Sequence, residues 1–209
     1  MKGKFVGLTL ILSCSGCTQL PSSLQNESHW EARRQALESL EDWTLDGRIA
    51  VHRGEEGWHV SLHWEQKNST YRMQISGPAG QGAARIEGDS SSVLLMQSNG
   101  QTIRAHRPEE LLARVIEGGE QIPITALGRW IKGLPSPDTE AQTLDPEGHL
   151  ASLRQEGWNV SFERYTVVDT LDLPKRIVLE RPTITIRLVV DHWGVPSQTL
   201  TTSRSASLN

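Results

Sequence analysis

LDGRIAVHRGEEGWHVSLHWEQKNSTYRMQISGPAG, residues 45–80, is the stretch whose reading decides the fold. Three runs in it alternate apolar and polar residues. Leu45, Ile49 and Val51 share one face, with Gly47 between them; Trp58, Val60, Leu62 and Trp64 form a second set; Tyr71, Met73 and Ile75 form a third. A period of two marks strands with one buried and one solvated face. The breaks at 53–57 (RGEEG) and 66–70 (QKNST) are polar and turn-forming. The stretch therefore reads as an antiparallel meander with large side chains on its buried face.

Working outward, the pattern continues on both sides. Residues 28–31 (SHWE) have the form of a capping box, and a helix is expected over 29–41 with Trp30, Ala36, Leu37 and Leu40 on its apolar face. Downstream, Ala84 and Ile86 alternate with Arg85 and Glu87, and 93–96 and 102–105 read as short strands around Asn99-Gly100, a dipeptide that favours a type I′ hairpin turn. The period then changes. Residues 108–117 open with Pro108 and two acids, carry Leu111, Leu112, Val115 and Ile116 on one stripe, and stop at Gly118-Gly119, as a helix does. A second short helix is expected over 125–132, with Leu127, Trp130 and Ile131 on one side. Strands return at 150–155, 158–162, 175–179 and 183–190, and the tail from Pro196 is polar.

The expected fold is mainly β with helices. About ten or eleven antiparallel strands form an open, curled sheet, because a sheet this wide curls or splits. Three amphipathic helices cannot cover both faces of it. They fit better as a lid on the concave side, with apolar space beneath; a closed, fully packed barrel is the alternative. No internal repeat or domain boundary is visible in the 209 residues. The sequence has seven Trp against two Tyr and two Phe, a choice that suits either a core or a surface that accepts something amphipathic. The net charge of −4 gives no reason to expect nucleic acid as a partner.

The N-terminus has a basic start (Met1, Lys2, Lys4) and a short apolar run from Phe5 to Ser13. That run is too short to span a bilayer. It leads to Cys14 and Cys17, the only two cysteines. This resembles a bacterial lipoprotein signal peptide, in which a cysteine is acylated and becomes the new N-terminus. Cys17 has the small residues Ser15 and Gly16 before it and is favoured; Cys14, with Ile11 three places back, is the alternative. An ordinary secretory signal with incidental cysteines is the plainer reading. The expected organisation is a signal peptide at 1–16, a lipidated tether at 17–27, one domain at 28–196 and a polar tail at 197–209. Thr18, not Asp, follows Cys17, which by resemblance points to the outer membrane instead of retention at the inner one.

Ordered along nearly the whole mature chain are 43–51 (WTLDGRIAV), 57–64 (GWHVSLHW), 71–80, 129–135 (RWIKGLP), 153–160 (LRQEGWNV) and 173–177 (LPKRI) through Trp193. Together, after a lipoprotein signal, they resemble the LolB family of outer-membrane lipoprotein receptors. The resemblance implies an open β-barrel with a helical lid over an apolar cavity. It implies as partners acylated lipoproteins and the periplasmic carrier LolA, with the protein held to the outer membrane by its N-terminal lipid, facing the periplasm, and monomeric. Ile49, Val51, Trp58, Val60, Leu62, Trp64, Met73 and Ile75, with Leu112 and Trp130 from the helices, are the candidate lining; which of them line a cavity and which are plain core stays open. In the family, the turn at Gly77-Pro78-Ala79-Gly80 resembles a loop that carries an exposed bulky apolar residue and helps membrane insertion. Here the matching position is Ala79, flanked by Pro78 and Gly80, and alanine buries far less area than leucine. By analogy with related carriers, Arg48 is a candidate for holding the lid closed; an ordinary surface arginine is the alternative.

No catalytic chemistry is expected. The sequence has no G-x-S-x-G, no HExxH and no P-loop. His59 and His63 lie about 13 Å apart along an extended strand, too far for one ion. Neither a cofactor nor a metal is expected. The competing reading is a structural lipoprotein, an accessory of an outer-membrane assembly complex that binds protein instead of lipid.

Overall fold

The alternating runs become strands of one antiparallel sheet in a computed structural model of the chain, which describes residues 22–80, 82–115 and 122–196. Both cysteines, the end of the expected helix at Ile116 and Glu117, its Gly118-Gly119 stop and the tail from 197 lie outside the described residues. Helix α1 (Ser22–Glu38) leads into a meander of β1 (Trp43–Arg53), β2 (Glu56–Lys67), β3 (Thr70–Ser76), β4 (Ala84–Gly88), β5 (Val93–Gln97) and β6 (Thr102–Ala105). Helices α2 (Pro108–Val115) and α3 (Ile124–Trp130) follow. The chain then returns as β7 (Ala141–Leu144), β8 (Leu150–Gln155), β9 (Trp158–Val168), β10 (Leu171–Arg181) and β11 (Ile184–Gly194).

The strands form one 11-stranded sheet in the order β6-β5-β4-β3-β2-β1-β11-β10-β9-β8-β7. Two meanders are therefore joined at the centre by the pairing of the first strand with the last. The edges are β6 and β7, which stand at opposite ends of the order, so the sheet is curled but open. Right-handed twist accumulating over so many strands produces the curl.

The central seam depends on Gly47. The β1–β11 register shifts between Asp46 and Gly47, and a Cβ on Gly47 would lie 2.6 Å from the Val189 carbonyl oxygen. Only glycine allows the two backbones to approach this closely.

Several expected boundaries move, each for a physical reason. Helix α1 begins at Ser22, inside the stretch read as a tether, so Ser28 lies within the helix and is not its cap. Packing of Trp30, Leu37 and Leu40, all buried, anchors this segment. β10 begins at Leu171, upstream of the expected start, because the β9–β10 register shifts beside Pro174 and a bulge accommodates a proline that a regular ladder excludes. The edge strand β7 was not expected; it is four residues long, with mostly exposed side chains and no apolar alternation. At Asn99-Gly100 only the glycine has positive φ, 85°. A type I′ turn needs positive φ at both central residues, so the hairpin is not of that type. Instead the Asn99 side chain accepts a hydrogen bond from the Gln101 backbone N–H at 2.9 Å.

Candidate functional site

Alternation places all eight candidate residues of the first three strands on one face of the sheet. Across that face the register sets Ile49 beside Val60 and Leu188, Leu62 beside Ile75, and Trp64 beside Leu45 and Met73. The result is a continuous apolar surface on the side packed against the helices.

Coverage of this surface is uneven. Toward the turns at 67–70 and 88–93 an aromatic cluster packs it, leaving a groove at the rim beside the end of α1. There Trp43 packs on Trp64 and Trp193 with ring centroids 5.5 Å apart in each pair, and Trp64 packs on Tyr71 at 6.3 Å. Gly128 of α3 lies directly over Trp64. Of the candidates, Val51, Leu62, Trp64, Met73, Leu112 and Trp130 are buried. Ile49, Trp58, Val60 and Ile75 are only partly covered. These four gather toward the opposite end of the strands, near the β1–β2 hairpin and the loop after β3. The cause is strand length: β3 stops at Ser76, which pairs with Ser61, so Trp58 and Val60 extend past its end.

At that corner, residues 78–80 form one exposed turn closed by the Gly80 N–H donating to the Gly77 carbonyl at 3.0 Å. Ala79 occupies a left-handed conformation at its tip, with φ of 57°. Pro78 and Gly80 flank it, also exposed. Trp130 behaves as an anchor. It is fully buried, and its indole N–H donates to Gln155 Oε1 at 3.0 Å, tying α3 to β8.

Arg48 does not reach the lid. It stands on the outer face, where its guanidinium donates to both Asp191 carboxylate oxygens at 2.9 and 2.7 Å. Its neighbours Gly47 and Ile49 point inward, so alternation itself directs Arg48 away from the helices.

The contacts that do hold the helices come from residues the sequence reading passed over. Lys132, just past α3, donates to the backbone carbonyls of Leu37 and Leu40 at the end of α1, at 3.2 and 3.0 Å. Burial, then the nearby Arg129 guanidinium, push the Lys132 ammonium below its ordinary pKa. Arg33 of α1 forms an ion pair with Asp172 of β10 at 3.1 Å and stacks over Tyr165. Burial alone would raise the Asp172 carboxyl; hydrogen bonds from Arg33 and His149 outweigh it and hold that group below the usual carboxylate value. Glu109 of α2 accepts the Thr125 N–H of α3 at 2.9 Å. None of these pairs has a sequence signature, since most partners lie far apart in the chain.

Between the end of α1, α3 and the β2–β3 turn lies a groove of about 400 Å³ lined by Leu40, Trp43, Trp64, Tyr71, Ile124 and Lys132 among others. Burial, then Glu109 and Asp89, push the Tyr71 hydroxyl up to about 12. Asp145, Glu147 and His149 group their ligand-type atoms within 4.8 Å. The Asp145 carboxylate there already accepts the Glu147 and His149 backbone N–H groups and faces His149 Nδ1, which makes it the core of a turn.

A curled antiparallel sheet with an apolar concave face under helices is a LolA-like fold. In agreement, the crystal structure of a LolA superfamily protein from Nitrosomonas europaea superposes with a TM-score of 0.55 at 11% identity, covering 82% of this chain and 93% of that one. Sequence narrows the class to one family. The model of the family described as Outer membrane lipoprotein LolB matches residues 41–193. The chain is 40% identical over 190 residues to the outer-membrane lipoprotein LolB of Halorhodospira halophila, covering 90% of this chain and 93% of the relative. It is 33% identical over 189 residues to that of Ectopseudomonas mendocina, covering 89% and 92%. The chain belongs to the LolB family. Among the described residues no helix is long and apolar enough to cross a membrane.

Proposed function

We propose that this protein is the lipid-anchored receptor of the outer membrane that accepts acylated lipoproteins from the periplasmic carrier LolA and passes them to the inner leaflet. The anchor is placed on Cys17, with Cys14 as the alternative. The acyl chains lie against the concave face, entering at the partly covered corner of Ile49, Trp58, Val60 and Ile75. The observation that carries this reading is that corner, in a LolB-family chain: an apolar surface continuous with the core yet left open beside an exposed turn.

The energetics match a hand-over without chemistry. Each buried CH₂ contributes roughly 0.8 kcal/mol, so a lipoprotein's acyl chains cannot wait in water. A receptor must offer burial comparable to the carrier's and somewhat weaker than the bilayer's. A descending series of affinities is then sufficient, and no nucleophile, metal or cofactor takes part.

The test is transfer from a loaded carrier. Purified LolA carrying an acylated lipoprotein, mixed with this protein, should lose its cargo to it. A second step with liposomes should then remove the cargo. Cargo that stays on the carrier would contradict the proposal.

A further inference from the structure

The outer face of the sheet brings together two histidines that the transfer function leaves unused. His52 is on β1 and His59 on β2, and both are exposed. The register pairs His52 with Gly57 and His59 with Ala50, which makes the two imidazoles diagonal neighbours on one face. Their ring centroids are 6.4 Å apart with the planes at 88°. Gly57, opposite His52, supplies the seat. A Cβ there would lie 3.0 Å from His52 Nδ1 and 3.2 Å from Cε1, so the ring leans across the hairpin over a backbone with no side chain in the way.

The geometry points to a chelating site for one divalent first-row transition ion, held between His52 and His59. Imidazole nitrogen is a preferred ligand for such ions, with metal–nitrogen bonds of about 2.0–2.1 Å in the case of zinc; turning the two rings from their T-shaped contact toward each other aims one nitrogen of each at a shared ion. The β1–β2 ladder fixes the two backbones before any ion arrives, so binding requires only side-chain rotation. Remaining coordination positions face solvent and take water. Arg187, opposite Ala50 on the next strand, opposes the ion's charge. The site therefore favours the ion that binds imidazole most strongly, Cu²⁺ ahead of Zn²⁺, and excludes Mg²⁺, which prefers oxygen. His63 does not belong to it, because its Nδ1 is engaged with Asp46 Oδ1 at 2.6 Å.

The experiment uses the full lipidated protein in detergent, purified without a histidine tag. Cu²⁺, Zn²⁺ and Mg²⁺ are each titrated by calorimetry at neutral pH, and the Cu²⁺ complex is examined by electron paramagnetic resonance. One Cu²⁺ per chain with nitrogen hyperfine structure, weaker Zn²⁺ binding and no Mg²⁺ binding is expected. His52→Ala and His59→Ala should each weaken Cu²⁺ binding by about tenfold or more, while His63→Ala and His149→Ala leave it unchanged. Saturating Zn²⁺ should raise the thermal midpoint of the parent protein and not of the two hairpin variants. Unchanged binding in His52→Ala or His59→Ala overturns the assignment. So does loss of binding in His149→Ala, which would move the ion to the Asp145 turn, and so does an absence of Cu²⁺ binding.

Discussion

Ala79 holds a position where side chain and backbone ask for different residues. Its φ of 57° favours glycine, and a left-handed conformation costs a non-glycine residue about 1–2 kcal/mol. Its exposed place at the tip of the turn favours a large apolar side chain if the turn enters a membrane. Replacing it by leucine adds about 0.8 kcal/mol of lipid affinity per added CH₂ and leaves the backbone as it is. Ala79→Leu is therefore expected to speed delivery of cargo to liposomes while shifting folding stability by no more than about 0.5 kcal/mol; stopped-flow transfer and urea denaturation measure the two. Arg48→Leu is expected to transfer lipoproteins at the parental rate, since the guanidinium bonds Asp191 on the outer face. A transfer defect in that variant would contradict its placement. Trp130→Ala should cost about 3–5 kcal/mol in denaturant unfolding, the range for deleting a buried tryptophan; the loss is mainly of packing, since Gln155 Oε1 keeps Thr139 Oγ1 and the Ser136 N–H as donors when the indole is gone. Alternation in the sequence already placed Arg48 on the polar side of its strand; only the family analogy turned it toward the lid. Trp130 as an anchor was not legible, because its partner Gln155 lies on a strand formed much later in the chain.

At the scale of elements, the strands were legible and the helix attachments were not. β1, β2 and β3 follow from period-two alternation, which needs only local sequence. The early start of β10 depends on a bulge beside Pro174, and the short edge strand β7 depends on pairing with β8; both are set by neighbouring strands and not by local pattern. Helix α1 is joined to the body through Arg33–Asp172 and through Lys132, and the first of these contacts responds to acid. The Asp172 carboxyl is held below its ordinary value in the folded protein, while in the unfolded chain an aspartate titrates at about 3.9. The folded state thus binds fewer protons than the unfolded one in that window, so the contact's contribution is fully present above about pH 3.9 and is lost as pH falls through the lower folded value. Asp172→Asn is expected to flatten the pH dependence of stability below about pH 4, with little change in slope at neutral pH. Urea unfolding at a series of acid pH values, followed by circular dichroism, measures the slope. An unchanged acid slope in the variant would show that Asp172 does not tie α1 to the sheet.

For the whole molecule, the decisive property is that an 11-stranded sheet curls without closing. Its concave face is continuous core under the helices and becomes partly uncovered where β2 outruns β3. The sequence announced the apolar face as a row of large side chains. It did not announce which of them would remain accessible, because that follows from where β3 ends and from how α2 and α3 settle, both products of long-range packing. The central claim is that this face binds acyl chains. It is tested most directly with the soluble protein lacking the residues before Thr18, loaded with an apolar fluorescent probe. Displacement of that probe is then measured with an acylated lipoprotein and with its non-acylated form. The acylated form should displace the probe, and the non-acylated form should leave it bound; equal displacement by the two would contradict the account.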